Sequence, residues 1–327
     1  KIQAHDLGKA VIKNILYQSR IDPASIDEVI MGQVLTGGTG QNPARQAAKG
    51  ADIPNEKTAY VINQVCGSGL RAIVAGYQSI LLNDAKIVIA GGQESMSCSN
   101  QDMMLQDGLM DAFYSYHMGV TAENVAEKYK ISKDEQDDFA LRSQAKTQLA
   151  LEQNKFKDEL VKVNIDSNSL DKDEHPRKDL KIQDLKKLKT VFKKNGTVTP
   201  GNSSGINDGA AVLLLSDLEE AKKKSIEPLA KIVSWASVGV EPSLMGLGPI
   251  GAVKQAIKKA NWKLEDIDLF EINEAFAAQC IAVIRELNID EDKVNVNGGA
   301  IALGHPIGAS GARILVTLIH EMKKQNK

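Results

Sequence analysis

Cysteine is scarce in this sequence: Cys66, Cys98 and Cys280 are the only three among 327 residues. Three thiols in so long a chain make no disulfide framework, and the odd count fits a reducing compartment where one of them can be reactive. Net charge is nearly absent too, with Lys+Arg 40 against Asp+Glu 42, so nothing global marks the chain for nucleic acid. Long apolar runs are missing; stretches such as Ile314-Leu315-Val316 fall far short of the roughly 20 residues of a membrane-spanning helix. The opening Lys1-Ile-Gln-Ala-His-Asp lacks the apolar core of a signal peptide. No His/Cys/carboxylate cluster has metal-ligand spacing. The expectation is a soluble intracellular protein, cytoplasmic, with the mitochondrial matrix as the alternative, that needs no metal, nucleic acid or membrane.

What is present is a hydrophobic share of 43% and a charged share of 25%, the balance of a globular chain with room for about two domains. Helical spacing over 7–19, 42–49 and 69–83 alternates with apolar runs over 28–34, 59–65 and 87–90, which predicts βαβ units around a largely parallel sheet. Helices follow over 121–130 and 133–154, the second opening on a capping box, Ser132-Lys-Asp-Glu135. A lysine-rich stretch over 162–194 reads as an irregular, solvent-facing insertion. Strand patterns return over 209–215, 232–238 and 267–272, with helices over 251–260, 275–287 and 310–324. The layout is two α/β segments with a polar insertion between them.

Three places carry chemistry. Cys66 stands in Val65-Cys66-Gly67-Ser68-Gly69, between a strand and a helix; there the first-turn amides and the helix dipole favour a thiolate, and small neighbours admit a substrate. His305 lies in Gly298-Gly-Ala-Ile-Ala-Leu-Gly304-His305-Pro306-Ile-Gly308-Ala-Ser-Gly311, a string too rich in glycine for a helix or strand interior. No Gly-Lys-Ser/Thr follows, so it is no phosphate loop of that type; a histidine held there is a natural base for a thiol. Asn273, in Asn273-Glu274-Ala275-Phe276, follows the 267–272 strand, where α/β sheets place functional groups. Capping the next helix is the other reading for it.

Taken in order, Val-Cys-Gly-Ser-Gly, the 201–210 string Gly-Asn-Ser-Ser-Gly-Ile-Asn-Asp-Gly-Ala, Asn-Glu-Ala-Phe and the glycine-rich His305 string resemble the thiolase family over nearly the whole chain. Tyr116-His117-Met118-Gly119 looks like the biosynthetic, acetoacetyl-CoA type. The resemblance implies an α/β thiolase fold, two stacked βαβ-type halves in a layered αβαβα arrangement with an inserted loop domain. It divides the chain into 1–95 plus 200–222, a loop domain over 96–199, and 223–327. It implies reversible condensation of two acetyl-CoA to acetoacetyl-CoA and CoA, with Cys66 as acetylated nucleophile, His305 as its activator and Asn273 holding an oxyanion water. Ser204, His117 and Arg177 match positions that contact CoA; Leu109, Met118, Phe192, Met245 and Phe276 match positions lining the pantetheine and acyl tunnel. Lys172, Lys178, Lys181, Lys186 and Lys187 could meet phosphates, though solvated charge is the simpler reading. No cofactor is implied beyond the CoA thioesters, and a homodimer or homotetramer is.

Three departures from the family stand out. Its second catalytic cysteine sits in a Cys-x-Gly turn that neither Cys98 nor Cys280 matches. Its opening strand with an Arg-Thr-Pro-like turn is not found ahead of Lys1, and the stretch from Met96 to Leu109 is short. A catalytically impaired acyl-CoA-binding scaffold is therefore the alternative reading.

Overall fold

Strands of β-branched and apolar residues that alternate with amphipathic helices must be covered on both faces, and the structure meets that requirement with a mixed sheet between helix layers. The computed structural model describes residues 1–165 and 168–327. Its strands are β1 (Glu28–Gly32), β2 (Thr58–Ile62), β3 (Ile87–Ser95), the hairpin pair β4 (Val163–Ile165) and β5 (Asn168–Leu170), and β6 (Asp208–Ser216). The main sheet is ordered β2-β1-β3-β6. β1 is parallel to both neighbours, and β6 runs antiparallel to β3 from Ile87↔Ser216 to Ser95↔Asp208.

The helices of the first part are α1 (Ala4–Ser19), α2 (Pro43–Gly50), α3 (Ser68–Leu81) and the single turn α4 (Gln101–Met104). Then come α5 (Met118–Tyr129), α6 (Lys133–Glu152), α7 (Ile182–Lys186) and α8 (Leu218–Lys223). The last part holds α9 (Gly248–Ala260), α10 (Ala277–Leu287), α11 (Ala300–Leu303) and α12 (Ser310–Gln325). Alternation along the strands sorts the core. Val29, Met31, Ile87 and Ile89 face α1 and α2 with Ile12, Leu16 and Ala47. Ile30, Val88 and Ala90 point the other way, to Ala72 and Ile73 of α3 and Ala312 of α12. A third cluster, including Val125, Phe139, Ile281 and Val283, joins α5, α6 and α10. The capping box is present: Ser132 N–H donates to Glu135 at 2.7 Å, and Glu135 N–H donates to Ser132 Oγ at 3.2 Å.

Several sequence expectations shift. The 59–65 run stops being strand at Ile62, and the 87–90 run continues through Gly91-Gly92 to Ser95. Within 162–194, a hairpin and α7 interrupt the irregular chain, and residues 166–167 lie outside those described. The 232–238 segment forms no ladder among the described residues; it is fastened by Ser234 Oγ donating to Ala256 O at 2.7 Å and Lys259 Nζ to Trp235 O at 2.9 Å. The 267–272 segment makes one bridge, Phe270↔Val294. Beyond it, Asn295 takes over the work of a neighbouring strand. Its side chain accepts from Ile272 N–H and donates to Ile272 C=O, both at 2.8 Å.

Candidate active site

The nucleophile candidate sits on a strained elbow. Val65, a β-branched residue, adopts φ 47°, a conformation that costs on the order of 1–3 kcal/mol. Gly67 N–H donates to Gln64 O and Ser68 N–H to Val65 O, closing a tight turn after β2. The Ser68 hydroxyl braces it, accepting from Gln64 N–H at 2.8 Å and donating to Val65 O at 2.6 Å. The turn places Cys66 beyond the end of β2, two residues before α3 begins.

Cys66 Sγ lies 3.2 Å from His305 Nε2. On the other side of the ring, Nδ1 is 2.5 Å from Ser310 Oγ, and that hydroxyl also reaches Pro306 O at 2.9 Å. A hydroxyl has one proton. Donated to the Pro306 carbonyl, it leaves Oγ to accept from Nδ1–H, so Nε2 carries the lone pair that faces the thiol. Burial, with the Arg313 charge adding to it, lowers His305 to about 4, so the ring is neutral near pH 7. Desolvation, with the Glu94 charge adding to it, pushes the Cys66 thiol up to about 11 despite its own backbone amide. The resting pair is therefore a neutral thiol hydrogen-bonded to a neutral imidazole, poised for proton transfer during attack rather than for a standing thiolate.

Asn273 completes the group. Its Nδ2 is 3.4 Å from both His305 ring nitrogens, while its Oδ1 is buried without a partner among the described residues. It does not cap a helix, because α10 starts at Ala277 with Phe276 as its N-cap. The turn after it is fixed by Glu274, 1% exposed, which accepts from Ser143 Oγ at 2.6 Å, Asn295 Nδ2 at 2.9 Å and Ile301 N–H at 3.2 Å.

The positions matched to the acyl-CoA path divide. His117 stacks on Phe192 with centroids 4.7 Å apart, and Phe192 meets Phe276 edge-on at 6.3 Å. Met118 and Met245 pack in the same cluster. Burial keeps His117 below its ordinary value, and its Nδ1 accepts from Gly119 N–H at 3.0 Å. Leu109 and Cys66 pack against the same cluster of Val34, Leu35 and Ile307, and the Met110↔His117 bridge links Leu109 to the aromatic stack. Ser204 N–H bonds to Ala275 O at 3.0 Å, beside Asn273. Arg177 is exposed, its backbone N–H held by Gln144 Oε1 at 2.9 Å, and nothing brings its side chain to the aromatic stack. A cavity of about 710 Å³ between α1, β6 and α12 touches the back of the loop at Pro306, but neither the stack nor Cys66 lines it.

Sequence reasoning missed Ser68, Ser310, Glu94 and Asn207. Asn207 Oδ1 accepts from His305 N–H at 3.0 Å. Ser310 and Asn207 stand inside the strings quoted above, so position alone could have flagged them. Cys98 donates to Ile2 O at 3.3 Å and buried Cys280 lies against Asn273 O at 3.6 Å; neither touches the Cys66–His305 pair.

The thiolase N-terminal domain family matches residues 1–102 and 98–219, and the thiolase C-terminal domain family matches 226–327. An acetyl-CoA acetyltransferase of Rhizobium meliloti is 52% identical over 98% of this chain and 87% of its own length. One from Shinella zoogloeoides is 51% identical with the same coverage. Among solved structures, a Bacillus anthracis acetyl-CoA acetyltransferase superposes with a TM-score of 0.96 at 41% identity, covering all of this chain and 88% of the other. A human mitochondrial 3-ketoacyl-CoA thiolase in complex with CoA gives 0.96 at 40% identity, covering all of this chain and 87% of the other. The fold is the thiolase fold, and the chain belongs to the thiolase family.

Proposed function

We propose that this chain is an acyl-CoA acyltransferase that forms an acetyl thioester on Cys66 and catalyses the reversible condensation of two acetyl-CoA to acetoacetyl-CoA and CoA. The observation that carries the proposal is the 3.2 Å contact between Cys66 Sγ and the lone-pair nitrogen of His305. As sulfur attacks the thioester carbonyl, the thiol proton passes to Nε2, while Nδ1–H stays bonded to Ser310. The tetrahedral oxyanion collapses, the carbonyl–sulfur bond to CoA breaks, and the imidazolium returns its proton to the departing CoA thiolate. In the second half a base takes the α-proton of another acetyl-CoA, and the carbanion attacks acetyl-Cys66 and expels the Cys66 thiolate. In the family that base is the cysteine of the Cys-x-Gly turn, and neither Cys98 nor Cys280 is placed to serve.

We assign Asn273 and His305 to the thioester oxyanion, the unpartnered Oδ1 fixing a water between them. His117, Met118, Phe192, Met245 and Phe276 are read as the wall of the pantetheine path and Leu109 as its acyl end. Ser204 and Arg177 are read as contacts to CoA. Thioester chemistry needs no further cofactor, and no group of three metal-ligating side chains occurs among the described residues. No described helix is long and apolar enough to cross a membrane; the cytoplasm is the proposed location. The division at 1–95 plus 200–222, 96–199 and 223–327 is part of the same reading, as is a homodimer or homotetramer.

The test is intact-protein mass spectrometry after mixing with acetyl-CoA, alongside an assay of acetoacetyl-CoA thiolysis. An acetyl adduct on Cys66 with turnover supports the full cycle. An adduct without turnover favours the impaired scaffold, and absence of an adduct overturns the assignment of Cys66.

A further inference from the structure

Glu94 lies near the end of the inner strand β3, just past the end of β1, with no exposure at all. Its Oε2 accepts from Val34 N–H at 2.9 Å and from Gly308 N–H at 3.0 Å, and its Oε1 accepts from Leu35 N–H at 3.2 Å. No cation is among the main influences on it. A buried carboxylate without a counter-charge is costly, so the three amides are what hold it there. All three partners are donors. Only a group that accepts at both oxygens satisfies them, which an ionised carboxylate does and a carboxamide of the same size does not.

The three amides belong to the two pieces of chain that must meet at the active site. Val34 and Leu35 leave β1 and pack with Cys66, Leu109 and Ile307 in one cluster. Gly308 ends the loop that carries His305, three residues earlier, with the fixed φ of Pro306 between them. The other side of Gly308 is also confined. A Cβ at Gly32 or Gly92 would stand 2.7 or 2.2 Å from Gly308 O, and one at Gly308 would stand 2.7 Å from Glu94 Oε2. The loop is thus held by a carboxylate at its N–H and seated in glycine backbone at its C=O.

We propose that Glu94 is a positioning residue that sets the Cys66–His305 distance, clamping the histidine loop to the end of β1 through Gly308, Val34 and Leu35. The inference rests on the reading of Cys66 as nucleophile and His305 as its base. Burial outweighs the three amides and raises the Glu94 carboxyl to about 7, with Asp208 adding to the rise. Asp208 is the titratable group that acts on it, Glu94 in turn acts on Cys66, and His305 rides on the loop it holds. When Glu94 takes a proton, one oxygen turns from acceptor to donor and the clamp loses a partner.

The test follows alkylation of Cys66 by iodoacetamide, read by mass spectrometry, in the wild type, Glu94→Gln, His305→Ala and the double variant. Cys98 in the same spectra reports general accessibility. Because the probe is not an acyl-CoA, the result stands apart from whether acetyl-CoA is the substrate. Expected is a loss of about tenfold or more for Glu94→Gln in the wild-type background, and under about twofold in the His305→Ala background. Cys98 stays unchanged in all four proteins. Wild-type reactivity in Glu94→Gln, or equal slowing in both backgrounds, overturns the proposal. If Glu94→Gln does not fold, amide exchange in the wild type decides. Corrected for intrinsic rates, exchange at Gly308 should quicken between about pH 8 and about pH 6 while β3 stays protected. No change at Gly308 overturns the clamp.

Discussion

At the residue scale the site works by assigning one proton. The hydroxyl of Ser310 bonds both to Pro306 O and to His305 Nδ1, and that pair of contacts leaves Nε2 free to accept from Cys66. Ser310→Ala removes the tautomer control and leaves the thiol and imidazole in place. Acetylation of Cys66 in single-turnover mixing with acetyl-CoA should slow by about 10–100-fold, and in His305→Ala by about 10²–10⁴-fold. A Ser310→Ala protein that acetylates at the wild-type rate would show that the tautomer is set elsewhere. Cys66 and His305 were singled out by glycine-rich strings that suit no element interior and Asn273 by its place at the end of a strand pattern, and the structure brings the three side chains together. Glu94 was not. It sits in an apolar strand, and its partners are 59, 60 and 214 residues away, so its use exists only after folding.

At the element scale, the reactive pair depends on how closely two helix starts approach. A Cβ on Gly69 of α3 would stand 2.6 Å from Ala312 N, and a Cβ on Gly311 of α12 would stand 2.6 Å from Leu70 N. Each glycine faces the other helix's backbone. Cys66 precedes α3 by two residues and His305 precedes α12 by five, so the spacing of these first turns sets the spacing of the pair. Gly311→Ala brings two opposed effects. Helix propensity gains about 1 kcal/mol, while a methyl forced against backbone costs about 1–3 kcal/mol. Because the obstructing atom is a main-chain nitrogen that no rotamer can move, the second should win. The expected outcome is a lower thermal midpoint together with slower Cys66 alkylation; a stabilised variant with full reactivity would mean that the helices separate without strain. The helices and the parallel strands were readable from periodicity, since their faces are set by which side is buried. The 267–272 segment was misread as a laddered strand for a physical reason: its pattern is that of a strand, but an asparagine side chain satisfies Ile272 where a neighbour would.

At the scale of the whole molecule, buried acids set the response to pH. Glu94 is raised to about 7 by burial, and Glu271 to about 8 by burial, against the pull of Arg313 at 3.8 Å. An acid whose folded value lies above its unfolded one favours folding while protonated, and that stability is lost as pH climbs from the unfolded value through the folded one. For these two groups the loss runs from about pH 4.5 to about pH 8. His305 works in the opposite sense. Lowered to about 4 by burial, it withdraws stability as pH falls below the ordinary histidine value near 6.5. Between about pH 4.5 and about pH 6.5 the two carboxyls outweigh the one histidine, so together the three groups place the optimum at about pH 5, with a decline on the order of 5 kcal/mol by about pH 9. The measurement is the thermal midpoint of the wild type and Glu271→Gln from about pH 5.5 to about pH 9. The wild-type midpoint should fall by several degrees above pH 7, and Glu271→Gln should flatten the fall because its amide has no proton to lose. A wild-type midpoint that is level or rising across that range would mean that these carboxylates reach water when ionised. In that case Glu94 would hold the histidine loop at little cost. A fall that persists in Glu271→Gln means that the chain keeps the Glu94 charge in its core, at the expense of stability, to hold His305 against Cys66.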